Sequence, residues 1–303
     1  MKNLTILIYF TLAVWSIAPA NVLASRPSIK DKVIYGEDDR VLVNQVSSDF
    51  DSNVLEASRA VLAQLPSWRI TKFNEDDFTV ETKTLKEGLN FCSDERFSDL
   101  PIVTACSAFL VGPDLLLTAG HCLKDKYDCK KQTWILDYDD VGEFTSNNEV
   151  ISFKNSQSYT CRELVSHSTS QNLDFALVRI DRPILDRKPL KIRTDGKISN
   201  DESLTIIGHP FGLPKMVSSN GSIRENILPN FFKTNVDAFS GNSGSPAFGL
   251  RSGLVEGILI RGEDDFRYDP EDSCNRSLRC LKNECRGESV LRTTVLPLKK
   301  IPN

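Results

Sequence analysis

Residues 106 to 122 read CSAFLVGPDLLLTAGHC. Two short apolar runs flank Gly112-Pro113-Asp114, a tight-turn sequence, so the chain goes out and comes straight back as an antiparallel hairpin. That path returns Cys122 to the vicinity of Cys106. A disulfide between them is physically natural and would pin the turn that bears His121. Similar runs recur between turn signals: SAFLVG (107–112), LLLTA (115–119), TWILDY (133–138), EVISF (149–153), FALVRI (175–180), SLTIIG (203–208), LVEGILIRG (254–262) and SVLRTTVL (289–296). Short β-branched runs at this spacing predict an all-β chain. NVLEASRAVLAQL (53–65) is the one helical candidate. The proline-broken, charged stretch DRPILDRKPLKIRTDGK (181–197) predicts a linker between two β-rich halves.

The eight cysteines are Cys92, Cys106, Cys122, Cys129, Cys161, Cys274, Cys280 and Cys285. They follow a leader-like start. Lys2 precedes the short apolar run LTILIYFTLAVW, and small-residue cleavage sites end by Ala24, so residues 1–24 read as a signal peptide. No later segment approaches the roughly 18 apolar residues of a membrane span. An even set of cysteines behind a leader reads as disulfides in an extracellular or periplasmic protein. Cys129 with Cys161 is a second candidate pair. The remaining four admit three pairings, and their spacing lacks the CxxC knuckle of a zinc site. The formal net charge is −4, with no basic stripe of the kind that marks nucleic-acid binding.

Three residues carry the chemistry. There are three histidines. His121 stands at a strand end beside a glycine and a cysteine; His167 reads as a polar-loop residue and His209 as structural. In NLDFALVRID (172–181), Asp174 lies at the mouth of an apolar strand, where a carboxylate is shielded yet reaches a neighbouring loop; Asp181 at the far end is a weaker candidate. FSGNSGSPAF (239–248) presents Ser243 in a glycine-rich turn. A serine, a histidine as base and a buried carboxylate that orients the ring are the parts of nucleophilic acyl transfer.

TAGHC, NLDFALV and GNSGSP, in the order His, Asp, Ser, resemble the motifs of chymotrypsin-fold serine proteases. The serine motif is most similar to bacterial trypsin-like and glutamyl-endopeptidase-like members. The resemblance, over about residues 33 to 300, implies two antiparallel six-stranded β-barrels with the active site between them, divided near residues 185 and 186. It implies His121, Asp174 and Ser243 as the triad, and the backbone N–H groups of Gly241 and Ser243 as the oxyanion hole. A polypeptide substrate follows, with a protein inhibitor as a further partner, a monomer as the working unit, no membrane after leader removal, and no cofactor or metal. VIYGEDDR (33–40) is similar to the mature start of the bacterial enzymes, so residues 25–32 read as a pro-segment removed after Lys32 and the chain as a zymogen.

Two departures bear on activation and specificity. Trypsin-like zymogens pair a new amine with an aspartate just before the serine; here that residue is Asn242. Leu259 stands where glutamyl members carry a pocket histidine. Asp237, six residues before the nucleophile, occupies the base of the trypsin pocket, with Ala238, Leu259, Ile260, Arg261 and Gly262 as its walls. This predicts preference for Arg or Lys before the scissile bond. The alternatives are that Asp237 serves its own loop or pairs with Arg261, leaving a preference for small, apolar or acidic residues. The rival from another class is a protease-fold binding protein that no longer cleaves. An α/β-hydrolase is disfavoured because Ser245 replaces the second glycine of its elbow and His121 comes first.

Overall fold

The apolar runs lack the alternation of a half-solvated sheet because most are buried on both faces. In the computed structural model, which describes residues 33–46, 52–139 and 149–297, Leu116 packs inside one barrel while Leu115 and Leu117 pack between the two. The same division holds in the second half. Ile206 and Leu259 fill the barrel, whereas Ile207, Ile258 and Ile260 face its neighbour.

The first barrel closes through Ser158–Ser170, Leu173–Ile180, Leu115–Thr118, Cys106–Gly112, Val61–Pro66 and Gln132–Ile135. The second closes through Ser203–Gly208, Pro246–Gly249, Val255–Arg261, Glu288–Arg292, Phe231–Thr234 and Met216–Glu225. All these pairings are antiparallel, so the fold is the expected pair of six-stranded barrels. The charged stretch 181–197 runs between them and contains no strand.

Several expectations are corrected. Of the helical candidate only residues 53–58 are helical, within Ser52–Ser58; AVLAQL enters the strand Val61–Pro66, buried up to Leu65, where apolar residues on every side suit a barrel. EVISF is not a barrel strand but joins a small side sheet with Ile70–Lys72 and Asp77–Glu81. Residues 33–42, counted with the first barrel by sequence, pair elsewhere. Val41–Leu42 lies against Met216–Glu225 of the second barrel, and Ile34–Tyr35 runs parallel to Arg279–Cys280. The leader (1–24) and the pro-segment candidate (25–32) fall outside the described residues.

All eight cysteines are paired: Cys106–Cys122 and Cys129–Cys161 as expected, and Cys92–Cys274 and Cys280–Cys285 among the open pairings. The C-terminal cysteines therefore carry no thiolate for a zinc ion. No described helix is long and apolar enough to cross a membrane.

Candidate active site

The strand Leu115–Thr118 is followed by a short 3-10 turn, Gly120–Cys122, which presents His121 at the surface near the serine loop. Three ties hold it. The Cys106–Cys122 disulfide fixes one end. The Gln64 side-chain amide donates to the Cys122 carbonyl at 2.9 Å. His167 Nε2 lies 3.0 Å from the Gly120 carbonyl and 2.9 Å from that of Leu123. Carbonyls only accept, so this nitrogen carries the proton. His167 is therefore not a loop residue; it sits on the strand Ser158–Ser170 and buttresses the turn.

Asp174 lies in the adjoining strand Leu173–Ile180. One carboxylate oxygen accepts the His121 backbone N–H at 2.8 Å, and the other is 2.8 Å from His121 Nδ1. This places the Nδ1 proton against the carboxylate and leaves Nε2 on the side of the ring away from it. Asp181 does not take part, since it accepts from Thr160 N and pairs with Arg182 at the strand's far end.

Ser243 enters from the second barrel on the loop between Phe231–Thr234 and Pro246–Gly249. The loop is folded on itself, with Asn242 N donating to Phe239 O and Ser245 N to Asn242 O, both at 2.9 Å. It is also fastened to the first barrel. Ser107 N donates to the Ser243 carbonyl at 2.8 Å, and the Ser107 hydroxyl donates to the Gly241 carbonyl at 2.9 Å while accepting from His209 N at 3.1 Å. Cys122 Sγ lies 3.7 Å from the same Ser243 carbonyl, which puts the serine loop beside the residue next to His121. Gly241 has φ of +92°, and a β-carbon there would collide with the His209 carbonyl oxygen, so the turn needs glycine. His209 is structural, as expected. It is fully buried, sits 3.1 Å from the Leu213 carbonyl through Nδ1, and stacks on Tyr138. Burial, reinforced by the Lys215 charge, lowers it to about 3.

Asp237 is brought to a different place from the one the trypsin-like pocket implies. It is 2% exposed, and its two oxygens accept from the amides of Tyr35 at 2.7 Å and Asp39 at 3.2 Å. It serves the N-terminal segment rather than an open pocket. Arg261 does not pair with it; that guanidinium donates to the Gln171 carbonyl and lies over the Phe231 ring. Ala238, Leu259 and Ile260 are buried, Leu259 inside the second barrel and Ile260 between the barrels.

The N-terminal segment grips the serine loop at two further points. Ala238 N donates to the carbonyl of fully buried Val33 at 3.2 Å. Arg40, 1% exposed and paired with Asp38 at 2.8 Å, lies 4.3 Å from the centre of the Phe239 ring. Sequence reading missed Ser107, His167 and Arg40 as supports. Their partners are far along the chain, and only the place of Ser107 next to Cys106 hints at its task.

A trypsin-like peptidase domain family matches residues 106–258, which include strands of both barrels and the TAGHC, NLDFALV and GNSGSP motifs. No curated protein matches the chain. Among solved structures the chain is similar to a Glu endopeptidase, at 15% identity and a TM-score of 0.45, over 87% of this chain and 94% of that one. It is also similar to the active form of the Rv3671c protease of M. tuberculosis, at 15% identity and a TM-score of 0.41, over 93% and 90%. Mouse brain neuropsin gives 17% identity and a TM-score of 0.43 over 63% and 85%.

Proposed function

Because the chain belongs to the trypsin-like peptidase family, we propose that it is an exported serine endopeptidase that cleaves polypeptides through Ser243, His121 and Asp174. The observation that carries this reading is the double grip of one carboxylate on His121, by backbone and by ring, in the groove where the serine loop docks. Ser243 Oγ attacks the scissile carbonyl carbon, and its proton passes to His121 Nε2. Asp174 keeps the ring in the tautomer that can accept it and stabilises the imidazolium. The developing oxyanion is received by the N–H groups of Gly241 and Ser243, each contributing a few kcal/mol. The imidazolium then protonates the departing amine. Water, deprotonated by the same histidine, releases the acyl group and restores Ser243. Nothing in this sequence of steps calls for a cofactor.

Export fits the leader-like start and four disulfides, which persist in oxidising compartments. Maturation after Lys32 fits the burial of Val33 and Ile34, since a chain end seated there would complete the support of the serine loop. A serine-directed fluorophosphonate tests the reading. It should label the secreted protein at one site, Ser243. A folded protein that takes up no label is a binding protein on this scaffold instead.

A further inference from the structure

The Gly241 N–H belongs to the peptide bond that joins this glycine to Ser240. That bond is trans, so its carbonyl and its N–H point in opposite directions. Whatever holds Ser240 therefore aims the Gly241 N–H. Glycine is conformationally permissive, and at φ of +92° the turn itself does little to stop this peptide from rotating. The carbonyls that follow are fastened by Ser107, through its hydroxyl to Gly241 and through its N–H to Ser243. The Ser240–Gly241 peptide has two holders of its own. Phe211 N donates to the Ser240 carbonyl at 2.5 Å. Ser240 N donates to the Asp265 carboxylate, 3.1 Å from one oxygen and 3.2 Å from the other.

Both holders are anchored in turn. Asp265 is buried, and its backbone carbonyl accepts from Leu278 N at 3.0 Å. The Leu278 carbonyl accepts from Ile34 N at 3.1 Å, so the N-terminal segment reaches Ser240 by way of Leu278 and Asp265. Phe266, the next residue, opens a hairpin of Phe266–Asp269 with Cys274–Ser277, which the Cys92–Cys274 bridge ties to the segment that holds Phe91. The Phe266 ring meets Phe91 edge-on at 5.4 Å between centres, and Phe91 meets Phe211 in the same way at 4.9 Å. Phe211 lies 4.4 Å from Phe239. This aromatic group joins the two holders to each other and to the start of the serine loop.

We propose that Asp265 is a positioning residue for catalysis: its carboxylate, together with Phe211 N, holds the Ser240–Gly241 peptide in the orientation in which the Gly241 N–H receives the oxyanion. The proposal rests on the peptidase reading above. It gives the chain a carboxylate for ordering the nucleophile loop where Asn242 has none. A hydrogen bond to an ionised acceptor is stronger than one between neutral groups, which suits a peptide that has to stay put. Rotated the other way, the peptide would turn the Ser240 carbonyl toward the developing negative charge. The loss would then fall on the step that forms the oxyanion and spare the binding of substrate.

The experiment uses the secreted protein and chromogenic peptides that differ only in the residue before the scissile bond. Asp265→Ala should lower kcat on the order of 100-fold with KM little changed, and by the same factor on every peptide that the wild type cuts. Asp265→Asn, whose amide oxygen can still accept from Ser240 N, should recover most of that loss. A peptide trifluoromethyl ketone reads the oxyanion hole directly. Ser243 Oγ adds to its carbonyl carbon, the serine proton passes to His121, and the carbonyl oxygen becomes the oxyanion. Its Ki should rise in step with the fall in kcat, while the Ki of the matching trifluoromethyl alcohol, which forms no oxyanion, stays constant. A folded Asp265→Ala protein that keeps the wild-type kcat, or that loses activity through KM or on one class of peptide alone, overturns the proposal. So does an Asp265→Asn protein no faster than it. If Asp265→Ala does not fold, Asp265→Glu takes its place: moving the carboxylate by one methylene should lower kcat at unchanged KM, and an unchanged kcat overturns the proposal. Failure of the peptidase reading looks different, because then the wild type cuts no peptide and Ser243 takes no label.

Discussion

Asp237 is almost wholly buried, accepts two backbone hydrogen bonds, and sits near Asp39 and Asp38. Burial pushes its carboxyl group up to about 7, with the Asp39 charge adding to the rise and the two backbone N–H groups opposing it. Asp39 is raised in the same way, to about 6. A carboxyl group raised in the folded state holds its proton more tightly there than in the unfolded chain. Its contribution to stability is full below the ordinary value of 3.8 and is lost as pH rises through about 7. His209 has the opposite sign: its contribution is present above its ordinary 6.5 and is lost as pH falls. Asp237→Asn removes the first titration and leaves the second. The fall in Tm between about pH 5 and about pH 8 that Asp237 causes should therefore shrink in the variant. Thermal melts of both proteins across that range check this, and an unchanged pH slope would contradict it.

The N-terminal segment is the element that the proposed maturation would act on. Val33 bonds to Ala238, Tyr35 and Asp39 to Asp237, and Arg40 covers Phe239, so four residues of one short segment bear on the loop that holds Ser243. Asn242 offers no carboxylate to a new amine, and in the proposed maturation the segment's own contacts would order that loop instead. Protein secreted in active form should begin at Val33, and removal of residues 25–32 should raise activity. N-terminal sequencing of active material is the check; a fully active form that begins at Asn21 or Ser25 would contradict it. How much of this was legible depended on reach along the chain. Runs such as SLTIIG declare a strand because every residue after Ser203 is buried, and the observed strand is 203–208. Ser158–Ser170 stayed hidden because bulges between Cys161 and Glu163 and between Leu164 and Ser166 break its alternation. The proposed triad of His121, Asp174 and Ser243 stands out in the sequence because each sits in a short local motif. The surroundings of Asp237 do not, since the amides it accepts from, those of Tyr35 and Asp39, lie far away along the chain.

At the scale of the molecule, the proposed site draws on both barrels. The first carries His121 and Asp174, and the second carries Ser243 and Gly241. The two are joined by a shared apolar layer that includes Phe109, Leu117 and Phe175 from one side and Ile207, Phe248 and Ile258 from the other. Burial of such side chains contributes roughly 1.5–3 kcal/mol each, so the layer gives the groove a rigid base. The Ser107 hydrogen bonds then set the register of the two halves, and the Cys106–Cys122 bridge fixes the His121 turn within the first. Positioning at this precision is what makes a three-residue unit act together, and its members fail together when one is lost. The most direct measurement is peptide hydrolysis by Ser243→Ala, His121→Ala and the double variant, each shown folded by its melting transition. Each single substitution should reduce kcat on the order of a million-fold, and the double variant should be little slower than either. A Ser243→Ala protein that keeps about a tenth of the wild-type rate, far above the residual activity of a broken triad, would contradict the assignment of the nucleophile.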